Sequence, residues 1–242
     1  MNARILVVAG TGTDIGKTVA VAAFAATARA AGLRVGVCKP AQTGVTGGAG
    51  GDLDTVVGLV GDLPTREPIR YPDPLAPETA ALRAGMPFLS MDAVRAAVDE
   101  LAADCDLVIV EGAGGILVRL APDLTIVDVA QALDAPIVVV TDPGLGTLNH
   151  TELTVRELRR ADVAVAGLVI GSWPAEPDLA MECNRADLER LTGVPIIAVV
   201  PAGAGSRTPA DFQRSAPGWV SAAGVVGPDE MRCPPVKNRL PV

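Results

Sequence analysis

Ile5-Leu6-Val7-Val8-Ala9-Gly10-Thr11-Gly12-Thr13-Asp14-Ile15-Gly16-Lys17-Thr18 decides the fold. An apolar run of strand type enters a glycine-containing loop, and an alanine-rich stretch with helical spacing follows directly. In that setting glycines let successive backbone N–H groups converge on phosphate oxygens, and the helix start adds positive partial charge. Lys17 then reaches the β- and γ-phosphates and Thr18 offers its hydroxyl to Mg²⁺. The usual pattern places four residues between its first glycine and Gly-Lys-Thr. Here that count lands on Thr11, with Gly10 one place early, so the loop is a variant carried by its strand–loop–helix context. The expectation is a site for a nucleoside triphosphate.

Working outward, β-branched runs recur at Arg4–Ala9, Arg34–Lys39, Leu107–Glu111, Pro136–Thr141, Val163–Ile170 and Pro195–Val200. Between them the spacing predicts helices over Gly16–Ala31, Asp52–Gly61, Pro77–Ala84, Ser90–Ala103, Thr125–Leu133, Thr147–Ala161, Glu176–Thr192 and Pro209–Ala222. This alternation predicts one α/β domain over residues 1–224, a mostly parallel sheet with helices on both faces. Gly44–Gly51 reads as a mobile glycine-rich segment, and Gly61–Pro77 as a proline-studded connection without periodicity. Residues 225–242 lose periodicity and gain prolines, the pattern of an extended tail.

With 242 residues and 49% hydrophobic content, the chain is long enough for one sizeable core. A formal charge of −8 disfavours nucleic acid as partner, because phosphate-backbone binding needs a basic surface. Cys38, Cys105, Cys183 and Cys233 lie too far apart for zinc-ligand pairs and read as reduced thiols. The first strand begins at once, with no basic segment ahead of an apolar signal core, and no stretch has membrane-spanning character. A soluble, cytoplasmic protein without membrane contact is expected.

In a parallel sheet, ligands bind beyond the carboxyl ends of the strands, so the polar residues there carry most weight. After the second strand, Cys38-Lys39-Pro40-Ala41-Gln42-Thr43-Gly44 places Lys39 to face phosphates, with the Thr43 hydroxyl four residues on. Glu111 ends an apolar run and must be solvated, paired or metal-bound. With Thr18 and Asp52 it would make an all-oxygen set suited to Mg²⁺, although Asp52 serves equally as the cap of its helix. Thr141-Asp142-Pro143-Gly144-Leu145-Gly146-Thr147-Leu148-Asn149-His150 leads into a second helix start that either binds an anion or is simply capped by Thr147. His150 is the only histidine, has no visible orienting partner, and reads as structural.

Four motifs in this order, Gly-Thr-x-Thr-x-x-Gly-Lys-Thr, Cys-Lys-Pro-x-Gln-Thr-Gly, Val-Glu-Gly-Ala-Gly-Gly and Gly-Thr-Leu-Asn-His, make the chain resemble the dethiobiotin synthetases, from the first strand to about Ala222. The resemblance implies an ATP-dependent ligase of biotin synthesis. In that family 7,8-diaminopelargonic acid, CO₂ and Mg-ATP give dethiobiotin, ADP and phosphate. Matched motif by motif, it assigns Thr13, Asp14, Ile15, Gly16, Lys17 and Thr18 to the phosphates, and Lys17 and Lys39 to charge on the carbamate and transferring phosphoryl group. Thr18, Asp52 and Glu111 would hold Mg²⁺. Glu111, Gly112, Ala113 and Gly114 would lie along the nucleotide, and Thr43 would contact the carbamate or diamine. Leu145, Gly146, Thr147, Leu148 and Asn149 would bind the substrate carboxylate from a partner subunit, which implies a homodimer. The chain departs from many members after the fifth strand, where Gly171-Ser172-Trp173-Pro174 replaces an asparagine that reads the base. Gly171 and Ser172, with Pro201, Ala202 and Gly203 after the last strand, would flank a base whose identity this departure leaves open.

The rival reading is a regulatory ATPase switch of the partitioning or cell-division type, which shares the fold. Its loop carries an extra lysine five positions before the loop lysine, and here that position is Gly12. The chain also has no basic amphipathic tail.

Overall fold

The computed structural model describes residues 3–46 and 50–221. The tail expected over 225–242 and the centre of the glycine-rich segment, residues 47–49, lie outside the described residues. The described residues form nine strands and eight α-helices: β1 Arg4–Gly10, α1 Lys17–Ala30, β2 Val35–Cys38, β3 Ala41–Gln42, α2 Asp52–Val60, β4 Thr65–Arg66, β5 Ile69–Arg70, α3 Pro77–Ala84, α4 Met91–Ala102, β6 Leu107–Gly115, α5 Ile126–Ala132, β7 Ile137–Thr141, α6 Thr147–Arg160, β8 Val165–Trp173, α7 Leu179–Thr192, β9 Ile196–Pro201 and α8 Pro209–Ser215. Seven strands form one parallel sheet in the order β4-β2-β6-β1-β7-β8-β9, and β3 pairs with β5 in a separate two-stranded parallel ribbon.

Alternating side chains of the central strands feed two cores, as pleat geometry requires. Val7 and Ala9 of β1, Val108 and Val110 of β6, and Ile137 and Val139 of β7 pack with residues of α3 to α7. Leu6 and Val8, Leu107 and Ile109, and Val138 and Val140 pack on the other face with α1, α2 and α8. Both faces are thus covered, and near-continuous Val/Ile runs are the consequence.

All eight expected helices are present, and their ends moved for local reasons. Ser90 and Thr125 stand outside α4 and α5 as caps, accepting N–H bonds from Ala93 at 3.2 Å and Asp128 at 3.4 Å. α7 starts after Pro177, where Asp178 accepts from Met181 at 2.8 Å. α8 stops at Ser215, seven residues short of the expected end, and the chain tightens into a 3₁₀ turn at Ala216–Gly218 containing Pro217. The aperiodic Gly61–Pro77 connection holds β4 and β5, two-residue strands too short to show a period. β6 runs four residues past Glu111, with Gly10 pairing Gly115 beyond a register shift.

β1 lies between β6 and β7, so the chain reverses its direction of travel across the sheet next to β1. That topological switch opens a crevice at the carboxyl ends of β2, β6 and β1.

Cys38 and Cys105 are buried free thiols and Cys183 is exposed. Burial pushes the Cys38 thiol up to about 12, so it carries almost no thiolate at neutral pH. Peptide-resolved labelling with iodoacetamide at pH 8 should modify Cys183 readily and Cys38 only after denaturation. Fast native modification of Cys38 would contradict the packing of β2.

Candidate functional site

The loop between β1 and α1 sets the site. Gly16 precedes α1 at φ 90°, and a Cβ placed on it would stand 2.4 Å from the Gly171 carbonyl oxygen. A Cβ on Gly171 would stand 1.9 Å from the Ile15 carbonyl oxygen. The phosphate loop therefore rests backbone to backbone on β8, a contact only two glycines permit. Lys17 folds back to donate to the Gly12 carbonyl at 2.6 Å. Asp14, exposed, adopts the left-handed conformation at φ 58°.

Beside the loop, the end of β2, the start of α2 and the middle of β6 converge. Lys39 Nζ lies 2.5 Å from Asp52 Oδ2, and donates to Glu111 Oε1 and the Gly112 carbonyl, each at 3.0 Å. The Thr18 hydroxyl donates to the same Glu111 oxygen at 2.8 Å. Lys39 is 4% exposed and Glu111 1%. Burial pulls the Lys39 ammonium toward neutrality, but Glu111 and Asp52 more than reverse this and hold it above the usual lysine range. Burial likewise raises the Glu111 carboxyl, with Lys39 opposing and Asp52 adding to the rise. Lys17 has no comparable partner: burial first, then the charge of Lys39, holds it below the usual range. Glu111 Oε2 is, among the described residues, the one buried side-chain oxygen or nitrogen without a hydrogen-bond partner.

These residues line a cleft of about 880 Å³. Of the residues expected at the site, Thr13, Asp14, Gly16, Lys17, Thr18, Thr43, Lys39, Asp52, Glu111, Ala113 and Gly114 all face it. Ile15 instead turns its side chain to the α1 side of the core, and Gly112 contributes its carbonyl to Lys39. Gln42, Pro74, Pro77 and Val118 also line the cleft, and none of them was given a role from the sequence, although Gln42 stands within a quoted motif. Among the described residues, no group of three His, Cys, Asp or Glu side chains forms a metal cluster. The metal-suited set here is two carboxylates and one hydroxyl.

Gly171, Ser172, Pro201, Ala202 and Gly203 lie outside that cleft, next to one another across the β8–β9 pair. Trp173 pairs with Pro201, and the Ala202 N–H donates to the Trp173 carbonyl at 2.7 Å. The Trp173 ring carries the Arg185 guanidinium 5.2 Å from its centre, so one face is already occupied.

Leu145, Gly146, Thr147, Leu148 and Asn149 also stand outside the cleft, with Leu145 93% exposed. Their turn is rigidly held. Thr141 bonds Thr147 and Thr151 at 2.6 and 2.7 Å in a buried hydroxyl cluster. Buried Asn184 of α7 donates to the carbonyls of Pro143 and Gly144 at 2.9 and 3.0 Å. His150 is exposed, and no side-chain partner orients it among the described residues.

A family model described as an AAA domain matches residues 4–209. ATP-dependent dethiobiotin synthetase BioD of Streptomyces avermitilis is 55% identical over 218 residues, covering 90% of this chain and 92% of its own. Its counterpart in Rhodococcus jostii is 58% identical over 216 residues, covering 89% and 94%. Among solved structures, the septum site-determining protein MinD of Pyrococcus horikoshii superposes with a TM-score of 0.58 at 14% identity, over 92% of this chain and 93% of that one. A ParA family ATPase of Chlorobium tepidum gives 0.55 at 16%, over 87% and 90%. At that identity the likeness shows the phosphate-loop fold alone.

Gly171→Ala should weaken nucleotide binding about fivefold to a hundredfold, since clashes of this kind cost about 1–3 kcal/mol. Gly58→Ala, with nothing within 4 Å of the added methyl, serves as the neutral control. Titration with a fluorescent nucleotide checks both, and unchanged affinity in Gly171→Ala would rule out the backbone contact. At half identity to curated relatives across nine-tenths of its length, and with their motifs gathered around one cleft, the chain belongs to the dethiobiotin synthetase family.

Proposed function

We propose that the cleft joins CO₂ to 7,8-diaminopelargonic acid at the expense of ATP, closing the cyclic urea of dethiobiotin and releasing ADP and phosphate. One observation carries this reading: a buried lysine, Lys39, lines the same cleft as the phosphate loop and Thr43, where negative charge must be stabilised during phosphoryl transfer. One substrate amine adds to CO₂ and loses a proton, giving a carbamate. A carbamate oxygen attacks the γ-phosphorus and ADP leaves. The second amine then attacks the carbonyl of the mixed anhydride, and phosphate leaves as the ring closes.

The chain's own residues hold and neutralise these groups. The loop from Thr13 to Thr18 holds the phosphates, and Lys17 reaches the terminal ones once it exchanges the Gly12 carbonyl for phosphate oxygen. Lys39 stabilises the carbamate and the transferring phosphoryl group, and Thr43 orients the carbamate or diamine. Ala113 and Gly114 line the nucleotide, while Gly171, Ser172 and Pro201 to Gly203 flank its base. Thr18, Asp52 and Glu111 would hold Mg²⁺, and the fit rests on the unpartnered Glu111 Oε2 in an all-oxygen set. Mg²⁺, when bound, neutralises charge on the β- and γ-phosphates.

Leu145 to Asn149 bind the substrate carboxylate of a second copy in this reading, because they stand outside their own chain's cleft. Leu145 and Leu153, 93% and 58% exposed, give that homodimer an apolar contact. A cytoplasmic setting belongs to the same reading. Among the described residues no helix is long and apolar enough to cross a membrane.

Phosphate release with Mg-ATP and bicarbonate should depend on the diamine, with a cyclic urea product identified by mass. Hydrolysis indifferent to the diamine would overturn the reading in favour of a switch ATPase. Lys39→Met should lower kcat by about 10²–10³, the scale of losing one electrostatic stabiliser. It should also destabilise the free protein, by about 3 kcal/mol, because Glu111 loses its buried counter-charge. Wild-type turnover in Lys39→Met would remove Lys39 from the chemistry.

A further inference from the structure

Gln42 belongs to the Cys-Lys-Pro-x-Gln-Thr-Gly motif, yet none of the roles above uses it. Its side chain is 6% exposed and lines the cleft. Nε2 donates to the Thr43 carbonyl at 3.0 Å, while Oε1 accepts the Asp52 N–H at 2.9 Å. The residue before Asp52 is Gly51, which has no side chain to cap α2. A Cβ on Gly51 would stand 2.8 Å from Gln42 Oε1, so the amide occupies the place a capping side chain would take. Gln42 itself is fixed in the β3–β5 ribbon: it is paired with Arg70, and its carbonyl accepts the Tyr71 N–H at 2.8 Å.

One primary amide therefore joins two functional groups. Its acceptor end holds the first turn of α2, from which Asp52 reaches Lys39, and its donor end holds the backbone of Thr43. A carboxylate could do only the first task, since it has no proton to give Thr43. A hydroxyl side chain is too short for both. The geometry points to Gln42 as a positioning residue that couples the substrate-contacting loop at Thr43 to the Asp52 carboxylate. The inference rests on the roles proposed for Thr43 and Asp52, and it adds a residue acting through both.

Two variants separate the ends of the amide. Gln42→Met keeps the length and burial and loses both hydrogen bonds. Gln42→Glu keeps the acceptor toward Asp52 and loses the donor toward Thr43. Steady-state kinetics should give Gln42→Met a diamine KM raised about fivefold to tenfold, the range of one lost hydrogen bond, with kcat also reduced. Calorimetry with a non-hydrolysable Mg-nucleotide analogue should show a similar loss in Gln42→Met. Without Mg²⁺, analogue affinity should match wild type, because the phosphate loop is untouched. Gln42→Glu should raise the diamine KM while binding the Mg-nucleotide analogue at least as tightly as wild type.

A cap of purely structural value would lower the melting temperature and leave this split absent. Folded Gln42→Met and Gln42→Glu with wild-type KM, kcat and calorimetry would overturn the inference. So would a Gln42→Glu protein whose losses merely repeat those of Gln42→Met. If Gln42→Met does not fold, Gln42→Glu alone decides, through its diamine KM against its analogue affinity. Should wild type form no cyclic urea, the synthetase reading fails, and the calorimetric comparison still tests the link to Asp52.

Discussion

A lysine that is 4% exposed has surrendered its hydration, and nothing in an apolar interior restores it unless every N–H finds an acceptor. Lys39 meets that condition. Its three protons face Asp52, Glu111 and the Gly112 carbonyl, supplied by two other segments of the chain. The end of β2, the start of α2 and the middle of β6 are thereby tied at one point. Moving any of the three would strand charge in a low-dielectric surround. This is why residues 13 apart and 72 apart in sequence hold a fixed geometry beside the phosphate loop. The Thr18 hydroxyl extends the same network into α1 and closes it on Glu111.

The other fixed wall is made without side chains. Gly16 and Gly171 bring the loop and β8 so close that neither accepts a methyl group. Charge holds one side of the loop and backbone contact holds the other. A loop that must wrap phosphates is otherwise costly to order, since each residue fixed loses backbone freedom. Placing that loss in folding leaves less to lose when a nucleotide arrives, which is the physical sense of preorganisation.

The sheet and all eight helices were legible because their periods are long: β-branched runs for buried parallel strands, alanine- and leucine-rich stretches for helices. The phosphate loop, Lys39 and Glu111 were legible because strand ends in such a sheet face the ligand crevice. Short elements were not. β3, β4 and β5 have two residues each and display no period. Nor does one chain reveal contacts between distant glycines: Gly171, assigned to a base loop, also packs its backbone against Ile15 and Gly16 of the phosphate loop. Asp52 was ambiguous between cap and ligand. The structure shows why: it starts α2 and reaches Lys39 at once, while Gln42 accepts its N–H and Asp54 that of Gly51. The Gln42 contact was hidden because capping was sought next to the helix in sequence, and Gln42 lies ten residues from Asp52.

Charge accounting carries the site one step further. Lys17 and Lys39 face Asp52 and Glu111, so the free cluster is close to neutral, and Lys39 is committed to the carboxylates. A triphosphate adds several negative charges, and releasing Lys39 to them would leave Glu111 buried and unpaired. Lys17, held low by burial and by Lys39, gains most from the new anion, yet it is one charge. A further cation entering with the nucleotide would restore the balance. Glu111 Oε2 is the group already desolvated and without a partner, and the desolvation it has borne on folding would strengthen its attraction for a hard divalent ion. A divalent ion held there would add positive charge beside the two carboxylates and so lessen the cost of turning Lys39 toward a phosphoryl group.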